Sequence, residues 1–313
     1  MSANPPQVSI IMATYNRAHL IEETLDSILN QSFKNWECII IDDGSTDNTK
    51  EILQPYLEKD SRLNYYERSK NHKKGLPGCR NQGLELAKGD YIIFFDDDDI
   101  VHPENLKICL GLLRDKNSSF CRYDKKPFWG DLKMNEFKKI NNHVANPFHI
   151  RDLDKMITGE IPFASCCVLW DKKCFEQERF NEELMYAEEW ECYSRILSRG
   201  YKGFTTDAVL YFNRKHPNSN TGEFQRKNFV RINSQIKAAI QILENFSSKG
   251  LFNKKLKVFF VRMGFDLNSL EIIKKSLDAA GSNTSEKWKY HLGFKFYPIL
   301  KPYFYLKGKI LKN

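Results

Sequence analysis

Tyr91-Ile92-Ile93-Phe94-Phe95 runs directly into Asp96, Asp97, Asp98 and Asp99. Five apolar or aromatic β-formers in succession, without alternation, read as a strand buried on both faces. Such a strand needs a covering layer on each side, which points to an α/β sheet flanked by helices. The four carboxylates arrive where that strand ends. Confining four like charges there is costly unless a cation, or protonation of some of them, relieves the repulsion. Mg²⁺ and Mn²⁺ prefer oxygen ligands, often carboxylates together with phosphate. In open α/β sheets ligands bind at the carboxyl ends of strands. The acidic run therefore marks a metal site holding a phosphorylated ligand. The alternative is a solvated acidic loop that caps the next helix.

The preceding residues repeat the pattern of a strand with a polar end. Val8 to Ala13 reads as a strand closing on Thr14-Tyr15-Asn16-Arg17, followed by a helix from about Leu20 to Asn30 with Ile21, Leu25, Ile28 and Leu29 on one face. Trp36 to Ile41 is a second strand, closing on Asp42-Asp43-Gly44-Ser45-Thr46-Asp47. Gly44 allows a turn, and Ser45, Thr46 and Asp47 are N-cap candidates for a helix near Thr49 to Lys59. Leu63 to Glu67 is a third strand, Lys70 to Gly78 a polar loop, and Cys79 to Ala87 a helix leading into the central strand. This alternation argues for a mostly parallel sheet, whose polar strand ends converge on one crevice. Neither familiar Gly-rich phosphate loop is present, which disfavours a Rossmann cofactor and a P-loop nucleotidase.

The later sequence is less regular. Asn117 to Asn146 is rich in Lys and Asn with little pattern, and is expected to cover one side of the crevice; Ile161 to Trp170 reads as another strand lining it. Helices are expected from about Phe229 to Phe246 and Asn253 to Leu277. From Lys249 to Asn313, 14 Lys or Arg stand against 4 Asp or Glu. The last twenty residues interleave aromatics with lysines, and Pro298 and Pro302 argue against one long helix there. A basic, aromatic tail suits an anionic membrane surface, or else caps the α/β domain. Nucleic acid is not expected as a partner, since no recognisable binding module is present. No run approaches the ~18 apolar residues of a membrane span, and Met1 to Gln7 lacks a secretory pattern. The eight cysteines have no paired metal spacing and several lie in apolar runs. The expectation is a reduced, cytoplasmic protein, peripheral to the inner face of the membrane if the tail binds lipid.

The segments VSIIMATYNR, IIIDDGSTDNT, GLPGCRNQGLELAKGDYIIFFDDDD and YAEEWECYSRI, in this order, resemble the family 2 glycosyltransferases, inverting enzymes of the GT-A fold. The resemblance covers roughly Gln7 to His216. It implies a GT-A domain over residues 1–223, with a mostly parallel sheet flanked by helices, and a helical, basic and aromatic C-terminal extension over 224–313. It also implies a nucleotide-sugar donor, most often a UDP-sugar, a divalent Mn²⁺ or Mg²⁺, and a glycan or lipid-linked acceptor in surface polysaccharide synthesis.

Carried over residue by residue, Asp96-x-Asp98 resembles the family's DxD element. Asp98 would be the main metal ligand, and Asp96 would reach the ribose or a metal-bound water. With four consecutive aspartates, Asp97 stays in play. Thr14, Tyr15, Arg17 and Asp43 would grip the nucleoside, Asp43 by accepting the uracil N3–H. The alternative for Asp42 and Asp43 is a purely turn-shaping role. Arg80 matches a donor-phosphate position; its alternative is a surface ion pair. Glu189 falls where the family has its catalytic base, with Glu replacing the usual Asp, and either acid can serve if it reaches the acceptor hydroxyl. Its alternative is a charge cluster at a helix N-terminus. His216 matches a histidine near the metal or diphosphate, with Arg214 and Lys215 as phosphate partners, or is simply solvated. Two other functions fit less of the pattern: a non-catalytic nucleotide-sugar binding protein, and a nucleotidyltransferase, which usually needs a Gly-rich basic loop after the first strand.

Overall fold

In the computed structural model, which describes residues 5–114, 118–132, 137–215 and 220–310, the acid-tipped strand sits in the interior of a nine-stranded sheet. Its elements in chain order are β1 (Val8–Thr14), α1 (Ile21–Leu29), β2 (Trp36–Asp42), α2 (Thr49–Lys59), β3 (Leu63–Glu67), α3 (Leu76–Leu86) and β4 (Tyr91–Asp96). They continue with β5 (Ile100–Val101), α4 (Asn105–Arg114), β6 (Phe120–Phe128), β7 (Ala145–Phe148), α5 (Leu153–Ile157), β8 (Val168–Asp171), α6 (Glu188–Leu197), β9 (Gly203–Arg214) and α7 (Asn220–Gln225). Four helices follow: α8 (Phe229–Ser248), α9 (Lys254–Asp266), α10 (Leu270–Ala279) and α11 (Thr284–Ile310).

The strand order is β3-β2-β1-β4-β8-β6-β9-β5, with β7 paired to β9. β3, β2, β1 and β4 are mutually parallel. β8 runs antiparallel to both β4 and β6, while β6 and β9 are parallel to each other. Thr14 pairs with Asp42, and Ala13 with Asp96. The polar ends of β1, β2 and β4 thus lie along one edge, as a parallel sheet requires.

β4 is buried on both faces. Ile93 and Phe95 join one cluster with Ile10, Met12, Ile40, Leu25 and Leu106, under α1 and α4. Phe94 points the other way, meeting Phe175 and Phe180 edge-on at ring separations of 5.7 and 5.2 Å. Each buried aromatic of this kind stabilises the fold by about 1.5–3 kcal/mol. α3 crosses the second face so closely that a Cβ on Gly83 would lie 2.3 Å from Ile11 Cγ2. All eight cysteines are buried and unbridged, as small core residues.

Several local expectations are corrected. The stretch Asn117–Asn146 holds β6, which pairs with β8 and β9 despite three consecutive residues, Lys125, Lys126 and Pro127, that disfavour a strand. Partners far along the chain outweigh that local preference. Ile161 to Trp170 is a strand only from Val168; Ser165–Cys167 is a 3-10 turn, and Pro162 can donate no ladder bond. The third helix starts at Leu76, three residues early, because Pro77 is tolerated in a first turn. α2 has no side-chain cap bond at Asn48; instead Asp47 Oδ1 accepts the Thr49 N–H at 3.1 Å.

Chain contacts divide the molecule into Met1–Arg231 and Ile232–Asn313. In the second unit the helix expected over Asn253–Leu277 is two helices, because Ser269 caps α10, accepting the Ile272 N–H. Gly264 lets them close up, its hydrogen standing where a Cβ would meet Ile273 Cγ1 at 2.5 Å. Val261, Ile273 and Leu277 form one small core cluster of this unit, with Phe265, Tyr290 and Phe294 packed on it. Contrary to expectation, α11 continues through Pro298 and Pro302. Each proline removes one backbone bond and favours a bend, but the neighbouring bonds carry the helix on.

Candidate active site

Thr14, Tyr15, Arg17, Asp43, Arg80, Asp96, Asp97, Asp98 and Glu189 all line one cavity of about 750 Å³ at the carboxyl ends of β1, β2 and β4. Nine of the ten anticipated site residues are therefore brought together. The tenth, His216, lies outside the described residues.

The loops after β1 and β2 are tied to each other. Asn16 adopts a left-handed φ of 53°, donates its N–H to Ser45 Oγ at 2.9 Å, and accepts the Thr46 N–H at 2.8 Å. This brings Tyr15, 43% exposed, to the rim, with Lys74 Nζ 4.5 Å from its ring centre. The two acids after β2 divide their work. Asp42 shapes the turn: its Oδ1 accepts the N–H groups of Gly44 and Ser45, and its Oδ2 accepts from the Tyr65 hydroxyl. Asp43 instead lines the cavity, held by Arg68 Nε at 2.5 Å.

The four aspartates also alternate. Asp96 and Asp98 are half-buried, Asp97 and Asp99 buried. Arg17 binds the run from one side, 3.3 Å from Asp97 and 3.8 Å from Asp98. Arg214 binds it from the other: its N–H donates to Asp99 Oδ1 at 2.7 Å and its Nε to the Asp98 carbonyl at 3.0 Å. Even so, burial and the neighbouring Asp98 charge push Asp97 up to about 7. Burial, then Asp96 and Asp98, hold Asp99 well above the usual carboxylate range. Crowded oxygen donors whose ionised forms are disfavoured are chemically suited to a hard divalent cation. Carboxylate oxygens of Asp96 and Asp99 also lie within 4.8 Å of each other and of Cys166 Sγ. Sulfur is a poor ligand for Mg²⁺ or Mn²⁺, and Lys125 Nζ, 3.7 Å from that sulfur, already supplies positive charge there. Of the carboxylates lining the cavity, the less buried Asp96 and Asp98 fit the cation better.

Arg80 is not a surface ion pair. It is 2% exposed, donating from Nη1 to Glu188 at 2.9 Å and from Nη2 to Ser165 Oγ at 2.8 Å and Asp96 at 3.4 Å. Its guanidinium lies near the rings of Phe94 and Phe180, at 5.7 and 5.4 Å. Ala187, with a left-handed φ of 61°, turns the chain into α6 so that Glu188 and Glu189 open that helix. Burial, then the Glu189 charge, against Arg80, push Glu188 up to about 7. Glu188 is thus committed to Arg80, while Glu189 is half-buried in the cavity wall and makes no hydrogen bond or ion pair among the described residues. Of the two neighbouring acids, it is the one placed to act on a ligand.

Sequence reasoning missed Lys125, Arg68 and Glu188's pairing. Lys125 had no local signal. The β6–β9 register shifts on both sides of Asp124, and such an irregularity re-aims the side chain that follows. Met185, Tyr186, Glu223 and Arg231 also line the cavity, with Tyr186 stacked on Phe224 at 4.7 Å and Arg231 paired to Glu223 at 2.8 Å.

Residues 9–176 match the family model described as Glycosyl transferase family 2. The chain belongs to the family 2 glycosyltransferases. It is similar to a GalNAc(5)-diNAcBac-PP-undecaprenol beta-1,3-glucosyltransferase of Campylobacter jejuni, 43% identical over 192 residues, 59% of this chain and 57% of that one. Among solved structures it resembles Staphylococcus aureus TarS 1–349 in complex with UDP, with TM-score 0.58, 18% identity and coverage of 92% and 91%. It also resembles a Pyrobaculum calidifontis mannosyltransferase in complex with GDP-Man and Mn²⁺, with TM-score 0.54, 18% identity and coverage of 96% and 83%. These likenesses bear out the GT-A fold with its C-terminal helices. The chain spans 31% and 57% of the length of the first two curated relatives it matches.

Proposed function

We propose that this member of the family is an inverting, metal-dependent glycosyltransferase. Residues 1–223 carry the catalysis, moving a sugar from a nucleotide-sugar, a UDP-sugar in our reading, to a glycan or lipid-linked acceptor in surface polysaccharide synthesis. The observation that carries the reading is one cavity whose lining holds three chemistries: Tyr15 and Asp43, the half-buried Asp96 and Asp98, and Glu189, which makes no hydrogen bond or ion pair among the described residues. The donor assignment is supported by the TarS complex with UDP, and the acceptor class by the undecaprenol diphosphate in the Campylobacter relative's name. A cytoplasmic enzyme working beside the inner face of the membrane is the location consistent with a lipid-linked acceptor in this reading.

In this mechanism Tyr15 packs on the base and Asp43, oriented by Arg68, accepts its N3–H. Asp98 and Asp96 would hold Mn²⁺ or Mg²⁺, which supplies positive charge against the diphosphate as it departs. Arg80 keeps Asp96 and Glu188 in place. The Glu189 carboxylate accepts the proton of the acceptor hydroxyl as that oxygen bonds to the anomeric carbon. The bond from that carbon to the diphosphate breaks on the opposite face, the electron pair leaves with the nucleoside diphosphate, and the configuration inverts. No enzyme nucleophile is needed.

Calorimetric titration of UDP, GDP and CMP, with and without Mn²⁺, on the wild type and on Asp98→Ala, tests the reading. UDP binding that requires both the cation and Asp98 is expected. Preference for GDP would overturn the uridine role of Asp43 and keep the transferase. Absence of nucleotide binding under every condition would end the proposal.

A further inference from the structure

α11 has two apolar faces, and a small core cluster of its unit uses one. Tyr290 and Phe294 pack on Val261, Ile273 and Leu277, and Phe265 meets Phe294 and Tyr297 at 5.8 and 4.9 Å. At 100° per residue the other face carries Trp288, Leu292, Phe296 and Ile299, a stripe with spacings of four, four and three. These four are 61%, 46%, 54% and 76% exposed. Isolated exposed apolar residues are ordinary, but a continuous line of large ones signals a covered surface. The sequence keeps the same spacing to Tyr303, Leu306 and Ile310, and the helical backbone runs to Ile310, about 40 Å from its start. An apolar groove of about 420 Å³ between α10 and α11, lined by Leu270, Ile273, Leu277 and Trp288, adjoins the head of the stripe.

The charge around the stripe identifies what covers it. Lys289 and Lys295, both exposed, border it on either side, and the segment from Lys249 onward carries 14 basic against 4 acidic residues. Lysines beside an apolar stripe extend their ammonium groups to anionic headgroups while the stripe enters the acyl boundary. No helix among the described residues is long and apolar enough to cross a membrane, so such a helix would lie in the interfacial plane. We infer that the Trp288–Leu292–Phe296–Ile299 face of α11 docks on an anionic lipid surface. None of these residues lines the cavity, and the inference stands whether or not the transfer reading holds.

Flotation of the full chain with phosphatidylcholine vesicles, with and without phosphatidylglycerol, tests it. Binding is expected to be about 10-fold or more tighter to the anionic vesicles and to fall with added salt. Trp288→Ser with Phe296→Ser, and separately Lys289→Glu with Lys295→Glu, should each weaken it by about 10-fold or more while leaving UDP affinity unchanged. The lysine pair reads the same face without touching its apolar residues, should the serine pair disturb folding. No binding to anionic vesicles, or binding untouched by both pairs, overturns the inference. A serine pair that turns a dimer into a monomer at unchanged vesicle affinity would also overturn it, by showing that a second copy covers the face.

Discussion

Arg80 Nη1 donates to Glu188 Oε1 at 2.9 Å with both side chains buried, so Glu188 is engaged by the protein itself while its neighbour Glu189 lines the cavity. Removing one partner of a buried pair leaves the other charge uncompensated. Arg80→Met is expected to lower unfolding stability by about 3–5 kcal/mol, read by urea denaturation. A loss under about 1 kcal/mol would mean that the pair contributes as little as a surface bridge.

The same pair sets a pH dependence. Burial and Glu189 raise Glu188 from its ordinary 4.5 to about 7. Between those values the native state therefore binds more protons than the unfolded chain, so stability falls as pH rises. The contribution is complete below pH 4.5 and lost through about pH 7. Melting temperatures of the wild type and Glu188→Gln, compared across that window, should converge on one side and separate on the other; parallel curves would remove the assignment.

Glu189→Gln retains size and hydrogen bonding but cannot take a proton. Turnover should fall by about 10²–10⁴-fold with donor affinity preserved. Transfer at the wild-type rate would take Glu189 out of the mechanism. Abolished transfer with intact donor binding would be uninformative only if the helix moved, which the melting temperature checks.

Cys166 first, then, against burial, Cys167, Asp96 and Asp99 raise the affinity of Lys125 for its proton. Replacing it with Met removes a cation that competes for the acidic run. Mn²⁺ binding without nucleotide, followed by electron paramagnetic resonance, should tighten by roughly 10-fold. Unchanged or weaker binding would show that the lysine does not act on the metal site.

Gly83 marks the close approach of α3 to β1, where an added Cβ would meet Ile11 Cγ2 at 2.3 Å. Gly83→Ala should cost about 1–3 kcal/mol through overpacking, despite the better helix propensity of alanine. Stabilisation would mean that Ile11 changes rotamer freely.

Much of the first half of the chain was legible from its residues. β3 and α2 lie at Leu63–Glu67 and Thr49–Lys59, as read from apolar spacing and turn residues alone. The convergence of the strand ends followed from the parallel alternation, and the four aspartates announced the floor of the site. Periodicity over two to four residues specifies elements of this kind, because it records which face of each must leave water. What needed the tertiary structure was every feature depending on a distant partner. Only the resemblance told Asp96, Asp97 and Asp98 apart; in the fold, contacts with Arg17 and Arg214 accompany a run in which two of the four are buried and two half-buried. The sequence offered Arg80 as a donor-phosphate contact or else a surface ion pair, and its buried bonds to Glu188 and Ser165 made it a clamp. It gave no sign of Lys125, whose position rests on a register shift against β9. Local patterns determine which elements form, whereas the environment of a single charge is set by chain segments that meet only after folding.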